Sequence, residues 1–317
     1  MTATPAPVLV VGDANVDLVL RGDVRPRFGQ AEQLLDGADL VLGGSAAIVA
    51  SGLARLGVPT WLVAVVGDDP FGDVVLERLR AAGVVTDTVR RTAEAPTGVS
   101  VILSASDDRA ILTAPGTIPL LDGKSVESAV AESGASWVHF ASPFLIPGLT
   151  PDLAGVARAA RSRGVGTSLD TNWDPTEQWS SVADLVPAVD VLLPNRSEIE
   201  AIASALATSA AGADARAAAA AVAGLGPRVV VKDGADGGWS VDRDGESHSA
   251  PGLTIDVVDT TGAGDSFDAG YLAAIAHGVR DEPTRLRWAG VAGSLSTRAA
   301  GGTGAQATLE ELRAALP

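Results

Sequence analysis

The chain has 317 residues, of which 46% are hydrophobic and 20% are charged, enough for one large globular domain or one domain with a lid. A formal net charge of −16 argues against a nucleic-acid partner, because a phosphate backbone is bound by clustered lysines and arginines. No apolar run approaches the ~20 residues of a membrane helix, residues 1–7 lack signal-peptide features, and there is no cysteine. We therefore expect a cytoplasmic protein without a membrane partner.

The first predicted element is a buried strand at residues 8–11, which ends at Gly12. Three polar side chains follow it closely: Asp13, Asn15 and Asp17. In an open α/β sheet, ligands bind just beyond the carboxyl ends of the strands. These three residues are therefore candidate substrate-binding residues, although an ordinary polar turn explains the same pattern.

Two segments differ in residue pattern from the rest of the chain. Residues 18–42 mix short apolar pieces with glycine and proline. Residues 96–114 alternate apolar and polar positions on both sides of a polar turn at 106–108, which predicts a β-hairpin. Because an isolated hairpin is barely stable, we expect the two segments to pair as one small sheet that covers a pocket.

A glycine turn, Gly43 and Gly44, leads into a predicted helix that ends at Gly57. A strand at residues 61–66 follows it. Further along the chain, strands alternate with helices, which predicts a mostly parallel sheet covered by helices on both faces. The predicted strands are at 137–140, 166–170, 189–193 and 229–232, and the predicted helices at 153–163, 198–206 and 214–225. Asp170 and Asn172 stand at the end of one of these strands, where a pocket role and a structural role are equally open.

The most informative stretch is residues 259–276. Residues 253–258 before it have the β-branched content of a strand, and apolar residues after it recur at helical spacing. Gly262 and Gly264 therefore lie where a strand passes into a helix, and the first N–H groups of a helix favour an anion. Asp265 lies inside this donor-rich corner, either as a helix cap or as a base that accepts a hydroxyl proton.

Two further clusters follow predicted strands. Asn195 and Glu198 are three residues apart at the start of a helix, so they can either meet one ligand or form a capping box. Lys232, Gly234 and Gly237 end another strand. A lysine at this position either meets a phosphate as a point charge or is an exposed strand-end residue.

Over roughly residues 8–313 these motifs resemble the ribokinase family, the pfkB-type carbohydrate kinases. The resemblance implies a ribokinase-like three-layer α/β/α domain spanning residues 1–317, with a small β-sheet lid at about 18–42 and 96–114 that often mediates dimerisation. It implies transfer of the terminal phosphate of ATP to a hydroxymethyl group of a sugar-like substrate. Asp265 would be the catalytic base, and the anion hole would be Gly262, Ala263 and Gly264.

The same resemblance implies the remaining site residues. The acceptor would contact Asp13, Asn15, Asp17, Gly43, Gly44 and the position of Ile48. The nucleotide would contact Asn195, Lys232, Gly234 and Gly237, with Glu198 holding Mg²⁺ through water. Asp259 and Thr261 would bind K⁺, with residues 297–304 as the other wall of that site.

Ile48 departs from the family pattern, which usually has a sugar-binding asparagine there. Isoleucine offers no hydrogen bond to a hydroxyl, so ribose and fructose are expected to be poor substrates. Two alternatives stay open: a nucleoside or sugar-phosphate kinase on the same fold, and a non-catalytic binding protein.

Overall fold

The computed structural model describes residues 4–105 and 109–316. Its strands are β1 (Val8–Val11), β2 (Asn15–Arg21), β3 (Gly37–Gly43), β4 (Thr60–Gly67), β5 (Val89–Thr92), β6 (Gly98–Ser104), β7 (Arg109–Ala114), β8 (Trp137–Ala141), β9 (Gly166–Asp170), β10 (Val191–Leu192), β11 (Arg228–Lys232), β12 (Gly238–Val241) and β13 (Ser247–Ala250). Its α-helices are α1 (Ser45–Arg55), α2 (Pro70–Ala82), α3 (Gly123–Glu132), α4 (Thr150–Ser162), α5 (Val182–Leu185), α6 (Arg196–Ala205), α7 (Ala215–Ala223), α8 (Ala263–Ala276), α9 (Glu282–Ser296) and α10 (Leu309–Ala315).

The large sheet has the strand order β13-β12-β11-β10-β9-β8-β1-β4-β5. Its strands from β11 to β5 pair in parallel, and β12 and β13 add an antiparallel edge. Alternate residues of β1 enter different cores: Val8 and Val10 pack with α1, α2, α8 and α9, and Leu9 and Val11 pack with the helices of the opposite layer. The prediction of a three-layer α/β fold is confirmed.

A separate four-stranded sheet has the order β3-β2-β6-β7, so the segments 18–42 and 96–114 pair with each other as predicted. Strand β2 begins at Asn15, three residues earlier than the predicted segment. Asn15 and Asp17 are therefore strand residues of the small sheet rather than residues of a turn. The predicted turn at 106–108 lies outside the described residues.

The predicted strand at residues 253–258 is wrong. The edge of the large sheet is already formed by β13, and the chain then leaves it in an irregular conformation. The Leu253 N–H donates to Ser294 Oγ on α9 (2.9 Å). Leu253, Thr254, Ile255 and Val257 of this segment instead line a cavity.

Close packing of α8 on α9 depends on Gly270. A Cβ atom added there would lie 2.7 Å from the Ala292 Cβ atom and from the Trp288 carbonyl oxygen. On α4, a Cβ added at Gly155 would meet nothing within 4 Å. Gly270 is therefore required by packing, whereas at Gly155 only the low helix propensity of glycine matters.

We expect Gly270→Ala to lower the free energy of unfolding by about 1–3 kcal/mol, because an extra methyl overpacks this contact. Gly155→Ala is the matched control and should stabilise by up to about 1 kcal/mol, since alanine is the better helix former. Urea denaturation measures both. Equal effects of the two substitutions would contradict the packing account.

Candidate active site

The N-terminus of α8 is shaped by Gly262. Its φ of 69° is in the left-handed region, and a Cβ there would lie 2.5 Å from the Cα atom of Gly302. The first helical hydrogen bond runs from the Ser266 N–H to the Gly262 carbonyl (2.9 Å), and the Ala263 N–H donates to Thr260 O (3.2 Å). The turn lies at the positive end of the helix dipole, and the anion hole stays a prediction because the Ala263 N–H is paired with Thr260 in this structure.

Asp265 is connected to the start of α1 and to the loop after β9. Ser45 Oγ donates to Asp265 Oδ1 (2.6 Å), and Asn172 Nδ2 donates to Ser45 Oγ (3.1 Å). The structure thus unites the two glycine motifs and the Asp170–Asn172 strand end at one carboxylate. No sequence motif marked Ser45, although its position directly after Gly43 and Gly44 is a signal that identifies it.

Burial raises the pKa of Asp265 to about 7, with a further contribution from the negative charge of Asp170. The Ser45 hydrogen bond and the charge of Lys232 oppose this rise. A carboxyl group with a pKa near neutrality is well suited to accept and release a proton at physiological pH. The environment of Asp265 therefore favours a base over a simple helix cap.

Lys232 is the last residue of β11, and its side chain is only 11% exposed. The interpretation of Lys232 as an exposed strand-end residue is therefore wrong. Its Nζ atom is 2.6 Å from Asp170 Oδ2 and 3.3 Å from Asp268 Oδ2. Burial alone would lower the pKa of Lys232, but the surrounding carboxylates raise it, and it stays charged. Burial raises the pKa of Asp268 well above its usual value, whereas Lys232 holds that of Asp170 below the usual value despite burial. The prediction that Lys232 contacts the nucleotide stays a prediction.

Asn195 and Glu198 form a capping box at the start of α6. Asn195 Oδ1 accepts from the Glu198 N–H (2.9 Å), and Glu198 Oε2 accepts from the Asn195 N–H (2.7 Å). Burial and the charge of Asp170 raise the pKa of Glu198 to about 7. The capping role is therefore observed, and the predicted contacts with Mg²⁺ and the nucleotide stay predictions.

The candidate acceptor residues converge beside the start of α1. Asp13 accepts from the N–H groups of Ser45 and Ala46 (both 3.1 Å), so it caps α1 from outside the helix. Burial raises the pKa of Asp17 to about 6, although Asn15 Nδ2 donates to its Oδ1 (2.8 Å). Burial also raises the pKa of Asp13.

The two glycines before α1 leave room for these carboxylates. A Cβ at Gly43 would lie 2.0 Å from Asp17 Oδ1, and one at Gly44 would lie 2.7 Å from the Asp13 carbonyl oxygen. Their role here is steric, and their contact with an acceptor stays a prediction.

Ile48 is buried on α1. Its Cδ1 atom would lie 2.5 Å from a Cβ added at Gly302, so its tip packs on the glycine-rich wall of residues 297–304. Gln306 Nε2 donates to the Ile48 carbonyl (2.9 Å) and secures that wall. Contact between Ile48 and an acceptor stays a prediction.

Asp259 holds the other side of the same wall. It accepts from the Thr261 N–H (2.9 Å), the Thr261 hydroxyl (2.8 Å) and the Gly301 N–H (2.8 Å). Burial would raise the pKa of Asp259, but these donors hold it below its usual value, so the group is a carboxylate. A carboxylate has about four lone-pair sites, so the donors leave capacity for a cation, and the predicted K⁺ site fits.

A cavity of about 390 Å³ adjoins the α8 turn. Its lining includes the predicted nucleotide residues Lys232, Gly234 and Gly237, and residues of the anion-hole turn, Ala263 and Gly264. The rest of the lining is Ala235, Leu253, Thr254, Ile255, Val257, Thr260, Phe267, Gly290, Gly293, Ser294 and Thr297. Of these, Gly290, Gly293 and Ser294 on α9 lie outside every sequence motif. Polar glycine turns at one end and apolar walls at the other suit a phosphorylated ligand with a ring.

Among the described residues, no group of three or more histidine, aspartate or glutamate side chains is placed to hold a metal ion. A divalent ion here would depend on ligands from a bound phosphate, as Mg²⁺ commonly does. Within residues 4–105 and 109–316, no helix has the length and apolarity to cross a membrane.

Comparison with known proteins agrees with this geometry. The model of the pfkB family carbohydrate kinases matches residues 6–309. A ribokinase from Bacillus subtilis is 27% identical over 307 residues, covering 96% of this chain and 97% of the relative. An ATP-dependent ribose-1-phosphate kinase from Halopiger xanaduensis is 32% identical over 300 residues, covering 91% of each protein.

A solved structure of Arabidopsis thaliana ribokinase complexed with ribose and ATP superimposes with a TM-score of 0.82 at 26% identity, covering 98% of this chain and 99% of that one. Similarity of this extent includes the small sheet as well as the large one.

Proposed function

The chain belongs to the pfkB family of carbohydrate kinases, and on that premise we propose that it moves the terminal phosphate of ATP to a hydroxymethyl group of a sugar-like molecule. The observation that carries the proposal is the half-buried carboxylate of Asp265 in the first turn of α8, hydrogen-bonded to Ser45. Base, anion hole and nucleotide-sized cavity adjoin one another there.

In this mechanism the ionised Asp265 accepts the proton of the acceptor hydroxyl while that oxygen forms a bond to the terminal phosphorus. The bond between that phosphorus and the oxygen of ADP breaks at the same time. N–H groups of Gly262, Ala263 and Gly264 stabilise the charge on the transferring phosphoryl group, since phosphoryl transfer is catalysed mainly by positioning and electrostatics. Asn172 and Ser45 keep the Asp265 carboxylate in one orientation.

The chain's own residues also suit the cations that such a reaction uses. When bound with ATP, Mg²⁺ would neutralise phosphate charge, and Glu198 would hold one of its waters from the start of α6. K⁺ would lie between Asp259, Thr261 and the wall of residues 297–304, where it would strengthen the positive field of the anion hole. Because ATP is a cytoplasmic metabolite, we place the reaction in the cytoplasm.

The small sheet would act as the lid, and its outer face would pair with a second copy of the chain. Leu40 on β3 and Leu112 on β7 lie in one row across that face, with Leu18 and Val101 between them, and are 38% and 60% exposed, which is unusual for leucine. Sedimentation velocity tests this pairing, and a monomer at micromolar concentration would contradict it.

Replacing Asp265 by Asn should lower turnover at least ~100-fold on the true acceptor, because the general base is lost. The acceptor is first identified with the wild-type protein, by measuring ADP release with a panel of sugars, sugar phosphates and nucleosides. Asn can still cap a helix, so thermal unfolding should remain cooperative. Near-normal turnover of Asp265→Asn would refute the base assignment.

Activity and thermal stability should both be higher in KCl than in tetramethylammonium chloride, because the organic cation is too large for the Asp259 site. Asp259→Ala should remove both differences. The stability measurement does not depend on turnover. Equal values in K⁺, Na⁺ and the organic cation would contradict a monovalent site.

A further inference from the structure

Two residues beyond adjacent strands of the large sheet turn the chain through the left-handed region. Ser142 follows β8 with a φ of 53°, and Asn172 follows β9 with a φ of 52°. A non-glycine residue with positive φ is uncommon, and such strain persists where the surroundings require it. The Asn172 N–H also donates to Asp170 Oδ1 (3.1 Å), whose other oxygen holds Lys232. The turn that carries the Asn172 side chain is therefore anchored to this ion pair.

The side-chain amide of Asn172 donates to two serine hydroxyls. Its Nδ2 atom lies 3.1 Å from Ser45 Oγ and 3.2 Å from Ser142 Oγ. Ser45 is at the start of α1 and Ser142 directly follows β8, so the amide joins two separate elements. A serine hydroxyl has one hydrogen and two lone pairs. Because each serine oxygen accepts from Asn172, its own hydrogen is left to be donated elsewhere.

Each of these hydroxyls is the partner of a different carboxyl group. Ser45 Oγ donates to Asp265 Oδ1 (2.6 Å), the base of the proposed reaction. Burial raises the pKa of Asp13, and a hydrogen bond from Ser142 is among the interactions that oppose this rise. An ionised carboxyl group only accepts, so each serine donates to it and has only lone pairs left for Asn172. This requirement fixes the orientation of the Asn172 amide.

We propose that Asn172 is a positioning residue for the reaction: its two N–H bonds direct the Ser45 hydroxyl to Asp265 and the Ser142 hydroxyl to Asp13. The role rests on the proposed kinase function, in which Asp265 is the base and Asp13 is an acceptor contact. Asn172 acts through the two serines rather than on a reacting atom. Asparagine suits this position because its amide supplies two donors, whereas an ionised aspartate would supply acceptors only.

The charges around Asp265 explain why the direction of a hydroxyl matters there. The charged or titratable groups that face it are Asp13, Asp170, Lys232 and Asp268. Burial raises the pKa of Asp265 to about 7, and the hydrogen bond from Ser45 is the largest influence that lowers it. If that hydroxyl turned away, Asp265 would hold its proton more tightly. Asn172 thereby helps to set the pH range in which the base is ionised.

Direct measurement of the Asp265 pKa tests this role without relying on turnover. Protein with isotope-labelled aspartate carboxyl carbons is titrated by NMR, and Asp265→Asn and Asp13→Asn identify the two signals. The variants compared with the wild type are Asn172→Gly, Asn172→Asp, Ser45→Ala and Ser142→Ala. Glycine adopts positive φ at no steric cost, so Asn172→Gly removes the donors without straining the turn. Ser142→Ala is the matched control for the loss of a serine hydroxyl.

Ser45→Ala should raise the pKa of Asp265 by about 1–2 pH units, the usual effect of losing a hydrogen bond to a charged group. Asn172→Asp should also raise it, because an aspartate draws the Ser45 hydroxyl to itself. Asn172→Gly should raise it by less, since the Ser45 hydroxyl then has no fixed direction. Ser142→Ala should raise the pKa of Asp13 and leave that of Asp265 nearly unchanged.

The negative charge added by Asn172→Asp raises the pKa of Asp265 by itself, so a double-mutant cycle with Ser45→Ala isolates the part that the hydroxyl transmits. The effect of Asn172→Asp should be smaller in the Ser45→Ala background. Equal effects in both backgrounds, or an Asp265 pKa that Asn172→Gly leaves unchanged, would overturn the role of Asn172 and leave the kinase function intact.

The pH at which kcat/KM levels off should move with the measured pKa of Asp265 in each variant. A pKa that moves while this pH stays constant would instead overturn Asp265 as the base, and with it the proposed mechanism on which the role of Asn172 rests.

Discussion

The site depends on one buried ion cluster, in which Lys232 at the end of β11 holds Asp170 at the end of β9 and Asp268 on α8. Taking these charges out of water is costly, and removing one partner of such a cluster typically costs about 3–5 kcal/mol. Their positions are nevertheless informative, because the cluster joins two strand ends to the helix that carries Asp265. Lys232 stays charged and holds the pKa of Asp170 below its usual value, whereas burial raises the pKa of Asp268. Asp265 and Glu198 are the neighbouring carboxyl groups whose pKa lies at about 7.

The topology of the large sheet brings the other site residues close to this cluster. Parallel strands bring their carboxyl ends to one edge, so the residues after β1, β9 and β11 meet although they are far apart in the chain. The α1 turn adds Ser45, which reaches Asp265 from 220 positions away. The small sheet contacts the residues before α8 through Arg109, whose Nη1 atom lies near the Thr260 and Thr261 hydroxyls. The base and the anion hole of the proposed reaction thus share the α8 turn, and its other parts come from other elements.

The sequence predicted those parts that are encoded by local rules. Buried strands, glycine turns and the Gly262–Asp265 turn depend on residues within a few positions, and the structure has them where they were expected. The prediction failed at residues 253–258, because β propensity alone does not supply a pairing partner, and this segment packs beside α9 without joining a sheet. It also left Lys232 ambiguous, since its ion pair with Asp170 joins residues 62 positions apart, whereas the capping box of Asn195 and Glu198 follows from their local spacing. Ser45 was similarly hidden, because its partner Asp265 lies 220 positions away.

The central claim is that Asp265 acts as a base whose proton affinity is set by burial and moderated by Lys232. The pH dependence of kcat/KM in wild-type protein and in Lys232→Met tests it most directly. In the wild type, log kcat/KM should rise with pH and level off near pH 7, the pKa of Asp265. Without the Lys232 charge the carboxylate is harder to form, so the levelling-off should move to higher pH in the variant. A variant that folds and shows the wild-type pH profile would contradict the account.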